Sequence, residues 1–140
     1  MNSNGSTIIP TIQYKNAPKA IEWLCAAFGF EKHLVVPGEN DSIAHAQLRF
    51  GHAMIMLGSQ NDGDYGKLIR SPLDLGGVNT QAPYIVVENA DEHYKRAAQA
   101  GAEILIDIKD EAYGGRGYTC KDLEGHIWNF GSYNPWTENE

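Results

Sequence analysis

The chain has 140 residues, 42% of them hydrophobic and 21% charged, with a formal net charge of −7. A chain of that length buries about 70% of its unfolded surface and needs no disulfide or metal staple, and this hydrophobic share excludes disorder as its dominant state. The eleven basic residues form no cluster, which argues against a nucleic-acid or anionic-membrane footprint, and no stretch reaches the ~18 apolar residues of a membrane span.

Ile8 to Lys15 reads as a strand, with Ile8, Pro10, Ile12 and Tyr14 on one face. Asn16 is placed to cap a helix that carries Pro18 in its first turn, where a missing N–H costs nothing. Ile21, Leu24, Cys25 and Phe28 then fall at i, i+3, i+4 and i+7, one helical face, and Gly29 is placed to end it. Phe30–Val36, Ser42–Phe50 and Ala53–Leu57 read as strands joined by turns at Pro37–Asp41 and Gly51-His52. Residues 59–81 carry Gly, Asp, Asn and Pro without periodicity and form a linker, a length that marks function or mobility.

The pattern then restarts. Pro83–Glu88 is a strand, and Asn89 to Glu92 has the form of a capping box. Tyr94, Ala97, Ala98 and Gly101 repeat the helical spacing, and three strands follow: Ala102–Ile108, Gly117–Lys121 and His126–Ser132. Asn16-Ala17 matches Asn89-Ala90, Gly29-Phe30-Glu31 matches Gly101-Ala102-Glu103, and Gly51-His52 matches Gly125-His126, at offsets of 73, 72 and 74 residues. The near-equal offsets indicate an internal repeat. Module one spans 8–58, the linker 59–81 and module two 82–133, within one domain over 1–140. Each module offers one helix for one sheet, so one face of each sheet must find another cover or line a pocket.

A tandem βαβββ repeat of this size resembles the vicinal oxygen chelate superfamily, which includes glyoxalase I, extradiol dioxygenases, and fosfomycin- and bleomycin-resistance proteins. The wording PTIQYKNAPKAIEWLCAAFGFE, YIVVENADEHYKRAAQAGAE and GGRGYTCKDLEGHIWNFGSYNPW carries the resemblance, and Asp122 to Phe130 is its most specific part. The resemblance implies an α+β fold of two βαβββ modules in a curved mixed sheet, and a homodimer. It also implies metal ligands on the first and fourth strand of each module, and those positions here are Pro10, Met56, Ala82 and Asn129. Divalent metals want imidazole, carboxylate or thiolate, so the expectation is no metal and no cofactor, as in the bleomycin-resistance-like branch.

Among the histidines, His52 and His126 read as turn residues, His33 as part of an outer strand and His93 as a solvated helix residue. His45 is the candidate for a cavity, although the sequence names no partner to fix its tautomer. Gly114-Gly115-Arg116-Gly117 lacks the following helix of a phosphate loop and reads as a hairpin entry, from which Arg116 reaches a cavity mouth. Trp23, Phe28, Trp128 and Phe130 read as core. Strand alternation puts Met54 with Met56, Tyr84 with Ala82, and Asn129 with Ile127. The expected cavity wall is therefore Tyr14, His45, Met54, Met56, Tyr84, Arg116, Tyr118 and Asn129.

The expected function is metal-free binding of a small, flat, drug-like or cationic aromatic molecule by a homodimer, without nucleic acid or membrane. The alternatives are a lyase, isomerase or dioxygenase with unusual active-site residues, and a regulatory ligand-binding module. Cys25 and Cys120 spell neither a disulfide framework nor a zinc knuckle. The start MNSNGSTIIP lacks a leader pattern, which sets the expected location as the cytoplasm.

Overall fold

The structure is a computed structural model that describes residues 5–137. The first half runs β1 (Thr11–Tyr14), α1 (Ala17–Phe28), β2 (Glu31–Pro37), β3 (Ile43–Phe50) and β4 (Ala53–Ser59). The second half runs β5 (Tyr84–Val86), α2 (Ala90–Gln99), β6 (Glu103–Asp110), β7 (Arg116–Lys121) and β8 (Ile127–Gly131). Each half folds into its own four-stranded mixed sheet, in the orders β1-β4-β3-β2 and β5-β8-β7-β6. β1 is parallel to β4 and β5 to β8, while the other neighbours are antiparallel. The strands thus form two hydrogen-bonded sheets rather than one continuous sheet.

Local chemistry explains the helices. The Asn16 side chain accepts from the Lys19 N–H at 3.2 Å, and Pro18 occupies the first turn. Gly29 ends α1 in the left-handed region at φ 88°, where a Cβ would be strained. The Asn89 side chain accepts from the Glu92 N–H at 3.1 Å, and Asp91 and Glu92 meet the positive end of the α2 dipole.

Ile21, Leu24, Ala27 and Phe28 of α1 meet Ala46, Leu48, Ile55 and Leu57 of the first sheet in the core. Tyr118, Cys120, Trp128 and Phe130 of the second sheet belong to the same cluster, so the helix-covered sides of both sheets share one core. The Phe28 ring joins them, with its centroid 4.7 Å from Phe130 and 5.4 Å from Trp128. Burying one such ring is worth about 1.5–3 kcal/mol. Trp23 closes the helix pair by donating its Nε1–H to the Ala100 carbonyl at 2.7 Å.

His93 differs from its expected solvated place. It lies half-buried between α1 and the second sheet, where its Nε2–H donates to the Phe28 carbonyl at 2.8 Å. Its Nδ1 accepts from Tyr118 Oη at 2.6 Å, so both ring nitrogens are committed and the tautomer is fixed. Burial holds its pKa below the ordinary value, with the nearby Arg96 charge adding to the effect.

Residues 59–81 do not hang free. The Gln60 N–H donates to the Tyr14 carbonyl at 2.9 Å, Lys15 pairs with Asp74 at 2.6 Å, and a short 3-10 turn spans Pro72–Asp74. Ser71 is buried and donates from Oγ to Glu124 Oε1 at 2.9 Å. The loop is therefore tied to both halves.

Candidate functional site

The face of the first sheet turned away from α1 is the better candidate. Register fixes its members: Thr11 lies opposite Met56 on β4, and Gln13 opposite Gly58. Gln47 lies opposite Met56, and Arg49 opposite Met54. His45 shares that face with Gln47, and β2 adds Leu34 and Val36, both exposed. Ile55 and Leu57, one residue out of phase, are buried under α1. Alternation along β4 thus puts Met54 and Met56 on the open face, and His45 joins them.

A cavity of about 200 Å³ opens on this face, walled by Thr11, Gln13, His45, Met56, Ser59 and Tyr65. Tyr65 reaches it from the linker, and its hydroxyl pairs with Thr11 Oγ1 at 2.7 Å. The Gln47 amide lies 3.1 Å from His45 Nε2 and donates to it, which places the proton of the neutral ring on Nδ1. The set offers one imidazole, hydroxyls, an amide and a thioether, with no carboxylate. Among the described residues, no three His, Cys, Asp or Glu side chains converge to hold a metal ion.

The second sheet has an equivalent open face. Tyr84 lies opposite Asn129, and Thr119 opposite Asn129 on the other side. Asn129 is already engaged at both ends: Thr119 Oγ1 donates to Oδ1 at 2.7 Å, and Nδ2 donates to the Pro83 carbonyl at 3.3 Å. Tyr84 is exposed and donates its hydroxyl to the Tyr133 carbonyl at 2.7 Å. Val86 and Ile106 are exposed on the same face.

Of the eight expected wall residues, His45 and Met56 line the cavity, Met54, Tyr84 and Asn129 lie on the open faces outside it, and three lie elsewhere. Tyr14 is 0% exposed on the helix-covered side, where its hydroxyl donates to Asp122 Oδ2 at 2.6 Å. Burial first, and the Asp122 charge second, hold its pKa well above the ordinary value. Tyr118 lies opposite Phe130 on the helix-covered side and is buried, with its pKa raised by burial. Arg116 turns toward α2 and is held by Asp91 through Nε and Nη2, both at 3.0 Å, and by Asp110 through Nη1 at 3.0 Å. Its charge is spent inside the chain. Among the wall residues named, Thr11, Gln13, Ser59 and Tyr65 are the members that sequence reasoning missed. A glutamine between Ile12 and Tyr14 in a strand was the available signal for Gln13.

The segment from Asp122 to Trp128 organises the chain rather than a ligand. Asp122 Oδ2 accepts from Tyr14 Oη and from Trp128 Nε1 at 3.0 Å, and Oδ1 accepts the backbone N–H groups of Glu124 and His126 at 3.0 and 3.1 Å. Glu124 accepts the Lys15 and Asn16 N–H groups at 2.7 and 2.8 Å, just ahead of α1. His126 Nε2–H donates to the Gln13 carbonyl at 3.1 Å. Both carboxylates are buried and fully partnered, as burial of charge requires.

Residues 8–130 match the family model described as the glyoxalase/bleomycin resistance protein/dioxygenase superfamily. The uncharacterized protein Mb0911c of Mycobacterium bovis is 29% identical over 122 residues, which cover 87% of this chain and 80% of that one. The crystal structure of TioX from Micromonospora sp. ML1 is similar at a TM-score of 0.74 and 30% identity, over 93% of this chain and all of that one. The fosfomycin resistance protein FosX from Listeria monocytogenes, solved with Mn(II) and a dihydroxypropylphosphonic acid, shares the fold at a TM-score of 0.64 and 16% identity, over the full length of both.

Proposed function

The chain belongs to the glyoxalase/bleomycin resistance protein/dioxygenase superfamily, and from that membership we propose that it binds a small, flat, drug-like or cationic aromatic molecule on its open sheet faces without a metal. The donor set carries this reading. Thr11, Gln13, His45 and Met56 present one imidazole and no carboxylate, which suits an organic ligand and does not suit manganese, iron or zinc. Met54 and Met56 give an adaptable apolar floor, and the net charge of −7 tolerates a cationic guest. Binding alone protects a cell, so the proposed role is sequestration in a reducing cytoplasm, where Cys25 and Cys120 stay free thiols.

The active form in this reading is a homodimer. Leu34, Val36, Tyr84, Val86 and Ile106 are exposed on the two open faces, and a second copy would wall them. An isomerase or lyase using His45 as base is the second reading, and Gln47 supplies the partner that fixes its tautomer. That same bond occupies Nε2 and leaves a proton on Nδ1, so the neutral ring has no free base nitrogen until Gln47 moves.

The test combines elemental analysis of chain purified without chelator, light scattering at micromolar concentration, and titration with the flat cationic dye proflavine before and after EDTA. The reading expects no stoichiometric metal, the mass of two chains, and dye affinity unchanged by EDTA. Stoichiometric zinc, manganese, nickel or iron would overturn the metal-free reading, and the mass of one chain would overturn the dimer.

A further inference from the structure

A second cavity lies away from the open faces. The free edge of β1 approaches the start of β8, yet no ladder joins the two sheets there. The linker crosses this seam and roofs a cavity of about 140 Å³. Ile12, Ile127 and Trp128 wall it from the sheets, Ile69 and Leu75 from the linker, and Gln13 is its deepest polar group. Gln13 also lines the open-face cavity, so β1 is the partition between the two spaces.

The roof is a built feature. Ser71 fixes one end through Glu124 at 2.9 Å. Asn79 fixes the other, donating to the Gly125 carbonyl at 3.0 Å and accepting from the Ile127 N–H at 3.1 Å. Between these pins the chain turns at Gly76 and Gly77, with φ of 71° and 84°, the left-handed region that favours glycine.

Gln13 is 7% exposed, and its Oε1 is the one buried side-chain polar atom without a partner among the described residues. Leaving such an acceptor unpaired is costly. Two nearby donors are committed elsewhere: His126 Nε2–H to the Gln13 backbone carbonyl, and Thr11 Oγ1 to the pair with Tyr65. The last side-chain torsion of glutamine is soft, so a small turn brings Oε1 to whatever fills the cavity.

We propose that this seam cavity is a second ligand site, separated from the open face by β1 but sharing Gln13 with it, for a small flat heteroaromatic whose ring N–H donates to Gln13 Oε1. Three features select that class. The size is right for one ring or two fused rings, since an apolar protein cavity of about 150 Å³ takes benzene. Apolar side chains, among them Ile12, Ile69, Ile127 and Trp128, share the wall with polar ones such as Thr11 and Arg70, and strand edges bound it, which favours a flat guest. The unpaired group is an acceptor, so the guest must bring a donor.

The test uses the full chain labelled with ¹⁵N and with ¹³C in its methionine methyls, and two probes, indole and 1-methylindole, which differ in the ring N–H. Resonances of the Gln13 side-chain amide and the Trp128 indole N–H report the seam, and the Met54 and Met56 methyls report the open face. The expected result is saturable indole binding that moves the Gln13 and Trp128 signals, about tenfold tighter than 1-methylindole. Gln13→Leu should remove that preference and keep the binding of 1-methylindole. Equal affinities for the two probes in the native chain would overturn the proposal, as would no saturable indole binding, which leaves water as the occupant. Shifts confined to Met54 and Met56, or a preference that survives in Gln13→Leu, would overturn it too. The native ratio is decisive even where the variant does not fold.

Discussion

Tyr14 Oη donates to Asp122 Oδ2 at 2.6 Å, tying β1 to the turn between β7 and β8 across 108 residues of chain. The same carboxylate takes the Trp128 Nε1–H, and Glu124 two residues on takes the backbone ahead of α1 and the Ser71 hydroxyl of the linker. One turn of the second half therefore fixes the first strand, the first helix and the connecting loop of the first half. Charge-assisted bonds of this kind are the stronger ones, and low local dielectric raises the cost of losing a partner.

Tyr14→Phe keeps the ring and removes the donor. Asp122 retains Trp128 and two backbone N–H groups, so the variant should fold. The expected loss is about 1–3 kcal/mol, read as a lower urea midpoint with an unchanged slope. A midpoint equal to that of the native chain would show that the bond carries no weight.

His93 should make stability fall on acidification. Its folded pKa is lowered, so between the folded value and about 6.5 the unfolded chain binds the proton that the folded chain refuses. The contribution is complete above about 6.5 and is lost as pH falls toward the folded value. The groups around it are the Tyr118 hydroxyl, the Phe28 carbonyl, the rings of Phe50 and Phe130, and the Arg96 charge. None is a carboxylate that would stabilise an imidazolium. His93→Gln can still donate and accept but does not titrate. Its urea midpoint should vary less than the native one from pH 7 to pH 5, and parallel curves would assign the slope to other groups.

The helices were legible because their signals are local. Asn16, Pro18 and Gly29 bound α1, and Asn89 with Glu92 opens α2, all within a few residues of the bonds they make. The open face of β4 was legible for the same reason, since Met54 and Met56 alternate with Ile55 and Leu57. The misplaced wall residues have partners far along the chain. Tyr14 reads as a pocket tyrosine until Asp122 is brought to its hydroxyl, and Arg116 as a ligand clamp until α2 presents Asp91, 25 residues away. For Tyr118 the register itself was needed, because its phase follows Phe130 and not Asn129. The linker was opaque because its path is set by the side chains of Ser71, Asp74 and Asn79 meeting groups on both halves.

Met56→Glu and Ile55→Glu together test whether the two faces of β4 differ as the fold requires. Met56 borders the open cavity beside Thr11 and His45, where water reaches a new carboxylate, so the cost should stay below about 1 kcal/mol. Ile55 is 4% exposed against the core under α1, and a carboxylate there has no partner. That variant should lose more than about 4 kcal/mol or fail to fold. Urea unfolding followed by tryptophan fluorescence reads both, since Trp128 is fully buried in the shared core. A Met56→Glu chain as damaged as Ile55→Glu would mean that the open face is packed in solution. A second copy seated directly on Met56 would do that, and the damage would then grow with protein concentration, because the native dimer is favoured by mass action while the variant is not. Damage independent of concentration would instead mean that the face is sealed within the chain, and the binding surface proposed on it would be lost.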